Sequence, residues 1–209
     1  MEKYINYEMC KECGGLCCQQ NGCIYLPEDF KRLSFNFLQK QIDKGKISIA
    51  GQPFNGFLRD GWTFLLYLRA RNLNAPIVDL ISNGGPCILW DKNTGCKLKE
   101  ADRPSGGKLL KPIQPGGPCE NMGKQEQLFN WLLYNDVLKE LVKYYTNKDV
   151  EEIMDEQVTQ LLIKEESMQP LTDMNQTYLD WYYNIMENNE YYRPDEALKF
   201  MRIKKSSRK

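Results

Sequence analysis

Apolar residues Phe30, Leu33, Phe37 and Ile42 recur at near-helical spacing behind Pro27, a residue suited to the first turn, and predict a helix running to about Gly45. The rhythm then breaks. Ile47 and Ile49 alternate, Asp60-Gly61 marks a turn, Trp62 to Leu73 fits helix or strand, and Gly and Pro punctuate Gly84 to Gly123. Irregular structure with short strands is expected there. Cys87 to Trp90 and Cys96 to Leu98 flank the turn Asp91 to Gly95 and read as a hairpin that could set Cys87 beside Cys96.

After Gly123 the pattern becomes long and periodic. Trp131, Tyr134, Leu138, Leu141 and Tyr145 recur at spacings of 3 and 4, as do Val150, Ile153, Met154, Val158, Leu161 and Leu162, the latter with Glu151, Glu152, Asp155 and Glu156 on a solvated opposite face. A third helix follows Asp173, with Gln176 completing a capping box, and a short fourth starts at Pro194. The fold class expected is therefore mainly α, with an irregular cysteine-rich region containing short β-hairpins and a helical C-terminal half. Residues 1–123 form the cysteine region and 124–209 the helical region, packed on it as a single domain.

At 209 residues the chain is long enough to bury a real core. Its 28 Lys and Arg balance 28 Asp and Glu, so no bulk field points to nucleic acid or an anionic membrane. The basic end, Arg202 to Lys209, reads as a solvated tail. The longest strongly apolar stretch, Trp62 to Leu68, is far short of a membrane span, and Met1 to Gln20 has no apolar leader segment. The expected compartment is the cytoplasm.

Two counts change this bland picture. There are 8 Cys and no His. Without imidazole, the Ser-His-Asp and Cys-His nucleophilic systems, His-based catalytic zinc sites and the two-His iron triad are all excluded. In a reducing compartment so many thiols argue for metal ligation or redox chemistry over structural disulfides. Cys10, Cys13, Cys17, Cys18 and Cys23 fall within the 14 residues 10–23, while Cys87, Cys96 and Cys119 come later. Crowded thiolates repel one another, and a soft metal takes up their charge. All eight are candidate ligands. Adjacent Cys17 and Cys18 would point different ways in an extended or turn backbone, so that they serve different ions or one ligates while its neighbour packs. The string Gly-Gly-Pro-Cys occurs twice, at Gly84 to Cys87 and Gly116 to Cys119, and Gly14-Gly15 precedes Cys17; glycines let backbone fold closely around a bound centre.

The run Cys10-x-x-Cys13-Gly14-Gly15-Leu16-Cys17-Cys18, with Leu26 to Leu33 after it, resembles the YkgJ-type cysteine-cluster family, CxxCxxxCC proteins described as chelating zinc or iron, with flagellin lysine-N-methylases among their relatives. Cys87-Ile88-Leu89, Gly95-Cys96-Lys97-Leu98 and Arg103-Pro104 are similar to the family's later segment. The likeness spans roughly residues 10 to 119. Where the family commonly has a cysteine soon after Arg-Pro, this chain has Ser105-Gly106-Gly107-Lys108, so Cys23 or Cys119 would have to compensate.

An iron-sulfur centre, of the 4Fe-4S kind among others, is preferred over zinc, because only Cys10-Cys13 has the C-x2-C spacing of a zinc knuckle. Zinc remains the alternative cofactor. The resemblance also implies a second reading, S-adenosylmethionine-dependent protein-lysine methyl transfer, although no Gly-rich donor loop follows a strand. A third is a zinc-stabilised interaction module using the aromatics Tyr144-Tyr145, Trp181 to Tyr183 and Tyr191-Tyr192, which more often belong to a core. No side chain is singled out as catalytic, and the protein partner or substrate is not identifiable from the sequence.

Overall fold

The apolar run ending at Ala70 is strand, and it lies at the centre of the molecule. In the computed structural model, which describes residues 12–58, 61–82, 84–113, 119–121 and 125–187, β1 (Ile24–Tyr25), β2 (Ile47–Leu58), β3 (Gly61–Ala70) and β4 (Val78–Asp79) make one sheet in the order β1-β3-β2-β4. β3 runs antiparallel to β1 and β2, and β4 joins β2 in parallel. Leu65 through Ala70 are all buried. Side chains alternate between the faces of a strand, so both faces of β3 are covered.

The expectation of a mainly α chain with only short strands before residue 123 is overturned by this sheet. β2 has 12 residues and β3 has 10, and the architecture is mixed α and β. A strand covered on both faces loses its polar-apolar alternation, which is why Trp62 to Leu73 was ambiguous by pattern. The cysteine region differs too. β5 (Trp90–Asp91) and β6 (Gly95–Cys96) pair Trp90, not Cys87, with Cys96. The Asp91 carboxylate accepts the Asn93 and Thr94 amides and pins the turn at that tighter register. Cys87 instead forms a bridge with Asn72 beside the end of β3.

Helices also start and stop differently. Pro27–Asp29 is a single 3-10 turn, closed by the Leu26 amide donating to the Asp29 carboxylate at 2.9 Å. A separate α2 (Phe35–Ile42) follows it; α1 (Leu16–Gln20) and α3 (Ser105–Lys108) are short helices beside the cysteines. β7 (Leu110–Pro112) and β8 (Cys119–Asn121) pair with each other. Gln125–Tyr134 is 3-10 helix, continuing into α4 (Asn135–Thr146), which ends at Asn147 in the left-handed conformation, φ 56°. α5 (Val150–Glu166) opens with an Asp149–Glu152 capping box. α6 (Asp173–Glu187) is capped one residue earlier than the sequence suggests: Thr172 and Asn175 exchange hydrogen bonds, and Gln176 turns to Asp180.

One core joins the sheet to the helices. Leu38 and Ile42 of α2, Ile49 and Leu68 of the sheet, Trp131, and Leu138 and Leu141 of α4 all belong to it. The Trp131 indole donates to the Tyr25 carbonyl at 2.8 Å, fixing the 3-10 segment against β1. Tyr178 of α6 hydrogen-bonds the carbonyls of Gly51 and Leu80, tying that helix across β2 and β4. No described helix is long and apolar enough to cross a membrane. The helix expected from Pro194, Tyr191-Tyr192 and the basic terminus lie outside the described residues.

Candidate metal centre

Two consecutive glycines in the left-handed conformation, Gly14 at φ 65° and Gly15 at φ 72°, turn the chain into α1, which carries Cys17 and Cys18. A side chain at Gly15 would press on the Trp90 indole at 3.2 Å, and that indole donates to the Gly14 carbonyl at 2.8 Å. The β5–β6 hairpin is thus latched to the first cysteine loop.

Main-chain bonds bring the later segment alongside. Gly85 N–H donates to Gln20 O and Cys87 N–H to Cys18 O, each at 2.7 Å, while Ile88 N–H donates to Arg71 O at 2.9 Å. The Gly84-Gly85 pair, at φ 69° and 118°, makes the bend this requires. On the other side, Gly22 lies against β3 so closely that a Cβ would stand 1.7 Å from the Ala70 carbonyl oxygen. Gly22 N–H donates to Asn72 Oδ1 at 2.7 Å, and Ala70 N–H to Cys23 O at 2.8 Å. Cys23 is therefore hung from the central strand.

Beneath this loop, buried Arg69 forms an ion pair with Asp79 and donates to Asn21 Oδ1 at 2.5 Å. Burial raises the Asp79 carboxyl and the guanidinium lowers it; the pair stands because each charge compensates the other. Neither residue was singled out from the sequence, where no spacing joins positions from separate strands.

The result is a small cavity lined by Cys17, Cys18, Cys23, Cys87, Cys96 and Cys119, with apolar Leu89, Leu98, Leu110 and Pro104 between them. Its volume of about 60 Å³ equals roughly four water-sized positions at about 15 Å³ each. Adjacent Cys17 and Cys18 both face it, contrary to the expectation that neighbours diverge, because helical neighbours on α1 turn only part of the way round the axis. Cys13 is described but does not line the cavity, and Cys10 and Gly116 to Pro118 lie outside the described residues. The seven described cysteines carry no disulfide. Arg103 is the cation in the wall.

The run Ser105-Gly106-Gly107 has a spatial reason. Asp29 accepts both the Ser105 amide, at 2.9 Å, and its hydroxyl, at 2.6 Å. Helix α3 is drawn in until a Cβ at Gly107 would stand 3.2 Å from Cys23 Sγ, and one at Gly106 only 2.5 Å from Ile24 O. Glycine here admits the closeness that brings Leu110 to the cavity.

The thiols strongly perturb one another. Hydrogen bonding from Cys18, against the cost of burial and with a further bond from Cys119, brings Cys17 down to about 6. Cys18 is correspondingly pushed up, first by Cys17 and then by burial. Cys23 and Cys87 are raised chiefly by burial, with neighbouring cysteines adding to the rise. Among the described residues no group of three or more His, Cys, Asp or Glu side chains is arranged to hold a metal ion. The six thiols ring a space instead of converging on a point, with Cys17 hydrogen-bonded to two of its neighbours. Searches of this chain against family models, curated proteins and solved structures return no significant match.

Proposed function

We propose that this is a metal-cluster protein whose cysteine cavity takes an iron-sulfur centre, in keeping with the chain's resemblance to the YkgJ-type cysteine-cluster proteins. The observation that carries the reading is that six cysteines from widely separated parts of the chain line one cavity. The thiols of Cys18, Cys23 and Cys87, whose ionisation is opposed by burial and by neighbouring cysteines, favour a cation that neutralises them, and thiolate is the donor iron-sulfur clusters use. A cavity several atoms in volume suits a polynuclear group better than one zinc ion, which needs its sulfurs about 2.3 Å from a single centre. Cys17, Cys18, Cys23, Cys87, Cys96 and Cys119 supply more thiolates than a four-thiolate cluster needs. Such a cluster supplies one-electron chemistry or an open iron for a ligand. The chain's own part is to exclude water with Leu89, Leu98 and Leu110 and to offset negative charge with Arg103.

The test uses the two cysteines that close the Gly-Gly-Pro-Cys strings, both far in sequence from the first group. Cys87→Ala and Cys119→Ala, expressed and purified anaerobically, are expected to lose most of their iron and sulfide, with a lower Tm because bound metal contributes folding free energy. Full iron and sulfide in both variants would contradict the assignment.

A further inference from the structure

A second cavity, of about 340 Å³, opens on the other side of the first cysteine loop, and its size falls in the range of small-molecule sites, about 300–1,000 Å³. Cys17, Cys18, Cys23 and Leu110 line both spaces, so the cysteine wall divides them. The remaining lining comes from Asn21 to Ile24, from Gln52 and Tyr67 on the sheet, from Gly106, and from Thr177 and Tyr178 on α6. No Lys, Arg, Asp or Glu side chain is among these described lining residues, and Arg69, nearby, is paired with Asp79.

Two polar groups in this wall have no internal use. Tyr67 is 3% exposed, and its hydroxyl has no hydrogen-bond partner among the described residues; the Gln52 carboxamide has none either. A phenol hydroxyl that opens on the cavity can donate its proton to whatever occupies it. The two are neighbours by register: Gln52 pairs with Leu65 across the β2–β3 ladder, and Leu65 and Tyr67 point to the same face. By contrast, the Tyr178 hydroxyl is spent on Gly51 O and Leu80 O.

We infer that the second cavity binds an uncharged small molecule bearing a carboxamide or lactam group. Tyr67 O–H donates to the ligand carbonyl, and the Gln52 amide pairs with the same group by donating to its oxygen or accepting from its N–H. The Tyr67 and Tyr178 rings supply apolar contact. A carboxylate finds no Lys or Arg in the described wall and is disfavoured. These walls do not require a metal, so the binding stands independently of the iron-sulfur reading; if both hold, the ligand lies against the cysteine side of the centre.

The probe is benzamide, titrated by ligand-observed NMR into the full-length protein, with benzoate as the charged isostere and iron content measured on the same samples. Benzamide is expected to bind at least tenfold more tightly than benzoate. Tyr67→Phe, which removes no hydrogen bond to a described residue, is expected to weaken benzamide about tenfold at unchanged Tm and iron content. Thr177→Trp, on the exposed edge of the cavity, is expected to abolish binding. Benzamide binding to iron-free protein supports the site even where the cluster fails. No benzamide binding by wild type, equal binding of benzoate, or wild-type affinity in Tyr67→Phe would overturn it.

Discussion

Gly22→Ala is the substitution whose effect follows most directly from the geometry. A Cβ there would stand 1.7 Å from Ala70 O, where ordinary contact begins near 3.4 Å, and the atom in the way is backbone that cannot rotate aside. The loop must leave β3 by more than about 1 Å, which breaks the Gly22 N–H to Asn72 Oδ1 bond and the Ala70 N–H to Cys23 O bond. Two buried groups left without partners cost about 1–3 kcal/mol each, so about 2–6 kcal/mol is expected together. For a chain of this size, at about 2–4 °C per kcal/mol, that lowers Tm by about 10 °C. Because Cys23 moves with the loop, iron content should fall in step. Thermal unfolding followed by circular dichroism, with iron assayed on the same sample, reads both. A Tm within about 2 °C of wild type and full iron would refute the argument that Gly22 is required by close approach.

Other outcomes follow from the same contacts. Trp90→Phe keeps a ring over Gly15 but loses the indole bond to Gly14 O, and should lower stability by about 1 kcal/mol in urea titration; an unchanged midpoint would show that the latch is not needed. Asp79→Ala leaves the Arg69 charge buried and should cost about 3–5 kcal/mol, whereas a cost under about 1 kcal/mol would mean that the pair is dispensable. In metal-free, reduced protein the Cys17–Cys18 pair sheds its first proton near 6 in the folded state against 9.0 for an ordinary cysteine, so the unfolded chain holds more protons between those values and stability rises with pH. Above 9.0 the signs reverse: Cys18, Cys23 and Cys87 stay protonated in the fold while unfolded cysteines ionise, and stability falls. Urea midpoints from pH 6 to 10 should therefore pass through a maximum at about 8.5, where one lowered thiol balances three raised ones, and a monotonic curve would contradict the assigned shifts.

What could be read in the sequence was whatever rests on local repetition. The spacing of Val150, Ile153, Met154, Val158 and Leu161 corresponds to the buried face of α5, because an amphipathic helix writes its period into the chain. The grouping of cysteines was visible from their density, and most of those flagged line one cavity. The sheet was not legible, since Leu65 to Ala70 are buried on both faces and show no alternation. Nor were Arg69 with Asp79, Gly22 against Ala70, or Gly107 against Cys23, contacts that exist only once distant segments are folded together. The displaced hairpin is a subtler case. Its turn was visible in Asp91 to Gly95, but the Asp91 carboxylate sets a tight register that leaves Cys87 to pair with Asn72. Tyr67 and Gln52 carried no sequence signal, because an unpaired hydroxyl is recognisable only from its surroundings.

The central claim is that the ring of thiols holds an iron-sulfur centre, and anaerobic purification followed by a visible absorption spectrum, with iron, sulfide and zinc quantified on the same sample, tests it most directly. The account predicts a coloured protein with broad thiolate-to-iron absorption and iron and inorganic sulfide in matching amounts. A colourless protein carrying stoichiometric zinc, or none of these elements, would contradict it.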